Sequence, residues 1–121
     1  MKKIVLADWL TKVTEHWRPL VVASLNGQEV KLVKLRGEFV WHHHKDEDEL
    51  FLPLDGRMRV EFQDHVVDLH PGELLVVPKG VAHRTTADDE VACLVFEPAG
   101  TINTGNVRDP RFTAPETGPV E

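Results

Sequence analysis

Between Leu20 and Phe96 the apolar runs are short and are punctuated at close intervals by turn residues such as Gly, Pro, Asn and Asp. A long amphipathic helix needs ten or more residues of uninterrupted 3.6-residue periodicity, so this punctuation predicts short strands packed into an all-β barrel or sandwich. Leu20-Leu25 and Val30-Leu35 flank Asn26-Gly27, a pair that tolerates the positive φ of a type I′ turn, and a hairpin is expected there. Leu50-Leu54 and Arg57-Phe62 flank Asp55-Gly56, and a second hairpin is expected on the same grounds. In the latter strand Met58, Val60 and Phe62 alternate with charged residues, so one side is wet. Gly37 separates Val30-Leu35 from a strand over Phe39-His44. Val66-Leu69, a buried run Leu74-Val77, and two final strands at His83-Thr86 and Val91-Phe96 complete the pattern.

The ends differ from this middle. Ile4-Leu6 reads as a short strand, and Asp8 as the cap of a short helix carrying Trp9, Leu10 and Val13. After Phe96 the chain turns rich in Pro, Gly and Thr, which predicts an irregular tail over 98–121. Such a tail is either strapped over the domain with its last residues frayed, or a loop over a pocket mouth or subunit contact. A chain of 121 residues fits one domain, 1–121, with a barrel core at about 20–97.

The chemistry concentrates in Trp41-His42-His43-His44-Lys45-Asp46-Glu47-Asp48-Glu49. Alternate strand residues share a face, roughly 6–7 Å apart, so the rings of His42 and His44 can lean onto one ion. Metal–nitrogen bonds of about 2.0–2.1 Å leave room for a carboxylate from the next strand, for which Glu49 is the natural candidate. His43 faces the other way, and Asp46-Glu47-Asp48 reads as a solvated turn. A third imidazole, His83, follows Gly72, Pro78 and Gly80, and an all-β fold can bring it beside His44. His16, His65 and His70 stand in no motif and are expected at the surface.

Composition narrows the partners. A net charge of -6 without a long basic stretch argues against nucleic acid. The single cysteine, Cys93, lies in an apolar run, which rules out a disulfide framework and predicts a buried thiol in a reducing cytoplasm. No apolar run approaches the ~20 residues of a membrane span, so no membrane partner is expected.

His42-x-His44-x4-Glu49-x6-Gly56, followed by Gly72-x5-Pro78-x-Gly80-x2-His83, resembles the two motifs of the cupin superfamily, and the match runs from Gly37 to about Phe96. The short stretch between the motifs, Arg57 to Pro71, is like that of small single-domain microbial cupins. Glu97-Pro98-x-Gly100-Thr101-x-Asn103-Thr104-Gly105 is similar to a C-terminal motif of small cupins often labelled mannose-6-phosphate isomerase-like. The resemblance implies a double-stranded β-helix, or jelly-roll barrel, with a divalent metal held by His42, His44, Glu49 and His83. Gly37, Gly56, Gly72 and Gly80 all fall at turns, where positive φ is needed. Two departures stand out: Gly37 is one residue closer to the first His than usual, and Ala87 replaces the usual Asn.

Strand parity then predicts a mainly apolar pocket lining of Val40, Phe51, Pro53, Met58, Val60 and Phe62, which Lys34, Arg36 or Arg59 would alter by turning inward. Three imidazoles and one carboxylate suit one divalent transition metal (Fe, Mn, Zn, Ni, Co or Cu) rather than Ca or Mg. Four donors leave two octahedral positions open, as metal catalysis requires. Two readings follow: a metal-dependent enzyme on a small metabolite, a dioxygenase or isomerase, or a non-catalytic cupin that captures or senses a small ligand. A homodimer covering Ile4-Leu6, Trp9 and Trp17 is expected.

Overall fold

The computed structural model describes residues 1–115. It contains a short helix, α1 (Leu6–Leu10), and seven strands: β1 (Leu20–Leu25), β2 (Gln28–Glu38), β3 (Glu49–Pro53), β4 (Met58–Phe62), β5 (Val66–Leu69), β6 (Leu75–Val77) and β7 (His83–Pro98). All strand pairs are antiparallel, in the order β1-β2-β7-β3-β6, with β4 joining β7 to β5.

The long strand β7 organises the barrel. Along one edge it pairs with β2, from Gln28↔Pro98 to Glu38↔Thr86. Along the other it pairs first with β4, at Phe62↔His83 through Arg59↔Thr86, and then with β3, at Pro53↔Cys93 through Leu50↔Phe96. One strand thus serves both walls, which is how the sheet closes into a jelly roll. The two segments expected as separate final strands are this single element, because β2 pairs with it on both sides of Asp88-Asp89-Glu90, where the register shifts at a bulge.

The interior fills with residues of one parity: Val33 and Leu35 from β2, Phe51 from β3, Met58 and Val60 from β4, Val91, Cys93 and Val95 from β7. A second cluster covers the outside of the sheet, where Leu6, Trp9 and Leu10 pack over Val13, Val22 and Leu32. The helix begins after Val5 without a side-chain cap, and Asp8 lies within its first turn rather than at its N-cap. Ile4-Val5 form no strand, and Leu6 opens the helix.

Asn26 and Gly27, at φ 50° and 76°, make the expected two-residue turn between Leu25 and Gln28. Asp55-Gly56 does not close a hairpin. β3 and β4 do not pair with each other but lie against successive parts of β7, and Asp55 accepts the Ala92 backbone N–H at 2.8 Å. Gly56 keeps a negative φ, and space is its constraint: an added Cβ would sit 2.9 Å from Val91 Cγ2. β6 lies at the end of the strand order, so Leu74 and Val76 are exposed and only Val77 is fully buried, against the expected buried run. The two departures from the motif face each other: Gly37, at φ 80° beside a β-bulge, pairs with Ala87.

Residues 99–115 form no strand or helix, and they pack back on the barrel through Phe112, which meets Trp17 and Phe39. Asn103 ties this strap down by donating to the carbonyls of Trp17 (3.3 Å) and Phe112 (2.7 Å) and accepting from Ala114 N–H (2.8 Å). The expected frayed end, 116–121, lies outside the described residues.

Candidate metal centre

The segment Phe39-His44 is not a ladder strand as expected. It touches the sheet through Phe39 N–H, which donates to Thr85 O at 3.0 Å, and through one antiparallel bridge, His42↔His83, with His42 N to His83 O at 3.0 Å and His83 N to His42 O at 2.8 Å. Gly80 N–H donates to His44 O at 2.7 Å. These contacts still bury His42 and His44 on one side while Trp41 is exposed. Glu49 enters as the first residue of β3, opposite Val77, and His83 as the first residue of β7.

One ligand atom from each of His42, His44, Glu49 and His83 lies within 4.8 Å of the others, and all four side chains are buried. His42 Nδ1 is 2.9 Å from Val40 O, and His83 Nδ1 is 2.9 Å from Val81 O. A carbonyl only accepts, so in each neutral ring the proton sits on Nδ1 and Nε2 keeps a lone pair. Glu49 Oε1 is 3.3 Å from Nε2 of both His83 and His44. Neither buried ring nitrogen of His44 has a hydrogen-bond partner, so its approach to Glu49 brings the atoms close without alignment. Donors about 2.1 Å from one ion are about 3.0 Å apart when adjacent on an octahedron, so a small closure satisfies all four. Orphaned lone pairs converging on one carboxylate suit a single divalent cation.

The electrostatics agree. Burial, aided by neighbouring His83, lowers His42 to a pKa of about 4 despite the opposing Val40 carbonyl and Glu49, so its ring is neutral as a ligand must be. Burial would raise Glu49, but its close neighbours Glu97, then His44 and His83, outweigh it and hold this carboxyl well below the usual range. Burial and the adjacent Glu49 charge push Glu97 upward against the pull of Lys31.

Beside His42 and Glu49 lies a chamber of about 40 Å³, walled by Trp17, Phe39, Phe51 and Val95, with Lys31 and Glu97 at its polar end. Trp17 stacks on Phe39 at 4.7 Å, and Phe112 from the strap packs edge-on against both. A second cavity of about 200 Å³, lined by Glu29, Thr101 and Ile102, shares Pro19, Lys31 and Asn103 with the first. Lys31 Nζ donates to Glu97 Oε1 at 2.8 Å and lies 3.8 Å from Glu29 Oε1.

Among the six residues expected to line the pocket, Phe51 lies on the chamber. Phe62 instead lines an outer cleft with Trp41, His43 and Asn106. Met58 and Val60 pack in the core, Pro53 is fully buried, and Val40 packs against the core while its carbonyl holds His42. Phe39 occupies the chamber position that parity assigned to Val40, because the backbone leaves the ladder after Glu38. Lys31, Glu97 and Trp17 were not expected inside. Lys31 shares parity with Val33 and Leu35, and Glu97 with Cys93 and Val95, so the alternation carried that signal. Trp17 packs inside its own chain, which removes it from the apolar residues expected to need a partner subunit. Arg36 is exposed, and Arg59 pairs outward with Asp88 at 2.9 Å. His16, His65 and His70 are exposed. No described helix is long and apolar enough to cross a membrane.

A barrel closed around β7, with three histidines and a glutamate converging inside it, defines the cupin class of protein. This chain belongs to that family: the Cupin_2 family, described as cupin domain, matches residues 25–97. The chain is 37% identical over 75 residues to the protein YdbB of Bacillus subtilis, covering 61% of this chain and 66% of that one. It is 34% identical over 87 residues to an acireductone dioxygenase of Sulfurihydrogenibium, covering 65% of this chain and 49% of that one. The crystal structure of a cupin-2 domain containing protein from Shewanella frigidimarina superposes with a TM-score of 0.77 at 41% identity, covering 78% of this chain and 93% of that one.

Proposed function

We propose that His42, His44, Glu49 and His83 form a mononuclear divalent-metal centre, and that the protein is a metal-dependent oxygenase acting on a small oxygen-donor metabolite. The carrying observation is the unpartnered pair of His44 ring nitrogens, buried beside the Glu49 carboxylate and next to an apolar chamber. A bound ion supplies Lewis acidity and, for iron or copper, electron transfer to dioxygen. The protein's own residues do the remaining work. Val40 and Val81 fix the His42 and His83 tautomers, the Trp17–Phe39–Phe112 wall keeps water out, and Glu97 offers a carboxyl that exchanges a proton with a ligand oxygen. The likeness to an acireductone dioxygenase supports the oxygenase reading over isomerisation.

The small volume of the chamber favours a second reading, capture or sensing of a ligand of few heavy atoms without turnover. An oxygen electrode separates the two. With iron-loaded protein and a panel of small enediols, headed by an acireductone, oxygen uptake supports the oxygenase. Binding of nitric oxide or azide without oxygen uptake selects the sensor.

A further inference from the structure

The segment carrying His42 and His44 has little secondary structure of its own, so its backbone must be fixed by single contacts. His42 is held by His83, and the His44 carbonyl by Gly80. The residue between them, His43, is held by the strap: His43 N–H donates to Asn106 Oδ1 at 2.8 Å, and Asn106 N–H donates to His43 O at 3.1 Å. Asn106 therefore satisfies both backbone groups of His43, as a neighbouring strand would.

Gly105 makes this approach possible. Its φ is 54°, and a Cβ built there would collide with the His43 carbonyl oxygen and lie 3.1 Å from His42 Cδ2. Only glycine lets the strap lie this close to the ligand segment. The strap is itself held in shape. Thr104 Oγ1 bonds to Val107 O and to Thr113 Oγ1 (2.7 Å), and Gly105 N–H donates to Ile102 O at 2.9 Å. Both residues lie beyond the matched cupin region, which ends at residue 97.

We infer that Gly105 and Asn106 are positioning residues for the metal centre, fixing through the His43 backbone the separation and direction of the His42 and His44 rings. The inference rests on the metal reading above and adds an element outside the common cupin core. The two imidazoles are presented by a clamp that follows the last barrel strand in the chain.

The test is Co(II) titration of apo-protein, read by affinity and by the visible ligand-field spectrum, in wild type, Asn106→Ala, Asn106→Asp and Gly105→Ala. Circular dichroism and thermal melts of each apo-protein show whether the barrel is intact. Asn106→Ala loses the acceptor for His43 N–H and is expected to bind about tenfold more weakly, with a shifted spectrum. Asn106→Asp keeps an acceptor oxygen and is expected to retain the wild-type spectrum and affinity within a few-fold. Gly105→Ala is expected to weaken binding by about 10–100-fold. Wild-type affinity and spectrum in both Asn106→Ala and Gly105→Ala overturn the inference while leaving the metal reading in place. An equal loss in Asn106→Asp and Asn106→Ala also overturns it, since the acceptor would not be what matters. Failure of wild type to bind Co(II) overturns the metal reading itself, and the clamp with it.

Discussion

His83 Nε2 and Glu49 Oε1 face each other at 3.3 Å, with the proton of a neutral His83 ring already given to the Val81 carbonyl through Nδ1. Two acceptors at that distance repel unless a cation or a shared proton lies between them. His44 Nε2 lies at the same distance from Glu49 Oε1 without an aligned hydrogen bond, and one ion relieves both contacts. Replacing any one of His42, His44, Glu49 or His83 by Ala is therefore expected to lower affinity for a divalent metal by at least about a hundredfold. The barrel should persist, because its core is the apolar faces of β2, β3, β4 and β7. Metal content after dialysis, with circular dichroism alongside, checks this. Wild-type occupancy after His83→Ala would remove His83 from the set.

The fold stabilises neutral His42, lowering it to about 4 from an ordinary 6.5. The unfolded chain therefore binds the extra proton first, so the His42 contribution to apo stability is intact above about 6.5 and is lost as pH falls toward 4. The loss is on the order of 3 kcal/mol from the shift. It should be read as the difference between wild type and His42→Gln, so that the titration of Glu49 and Glu97 largely cancels. Metal should leave over the same range, since protons compete for the imidazoles. A pH-independent difference in apo stability, or metal retained down to pH 4, would contradict this.

Much of the site was legible because its chemistry is local in sequence. His42 and His44 are alternate residues, Glu49 opens the next apolar run, and the Gly72, Pro78 and Gly80 turns announce His83. The fold was legible where a turn acts alone, as at Asn26-Gly27. It was not legible at Asp55-Gly56, where the same chemistry joins strands that pair with β7 instead of each other, a tertiary outcome. Alternation could not place Phe39 and Val40, since the chain stops obeying it after Glu38. Lys31 and Glu97 share parity with apolar core residues, and they stay inside because each is the other's hydrogen-bond partner.

That pairing has a measurable cost when broken. Lys31 and Glu97 are buried, with Glu29 close by, so Lys31→Met leaves two carboxyls without their cation. A loss of about 3–5 kcal/mol in unfolding free energy is expected from denaturant titration. Lys31→Met combined with Glu97→Gln should recover a large part of it, giving a coupling energy well above the ~0.5 kcal/mol of independent sites. Additive effects would show that the 2.8 Å contact carries no energy.

Cys93 is fully buried on β7, and burial pushes its thiol up to about 12. The thiolate is the reactive form, so iodoacetamide at pH 8 should leave the native protein unmodified and alkylate it fully in denaturant. Labelling of the native protein at the rate of a free thiol would contradict the packing between β2 and β3.

The central claim is that three imidazoles and one carboxylate share a single ion inside the barrel. X-ray absorption fine structure of the protein loaded with one equivalent of Co(II) counts those ligands directly. The account predicts a first shell of N/O donors at about 2.1 Å and outer-shell scattering that fits three imidazole rings, falling to two in His83→Ala. A wild-type spectrum with one imidazole or none would contradict it.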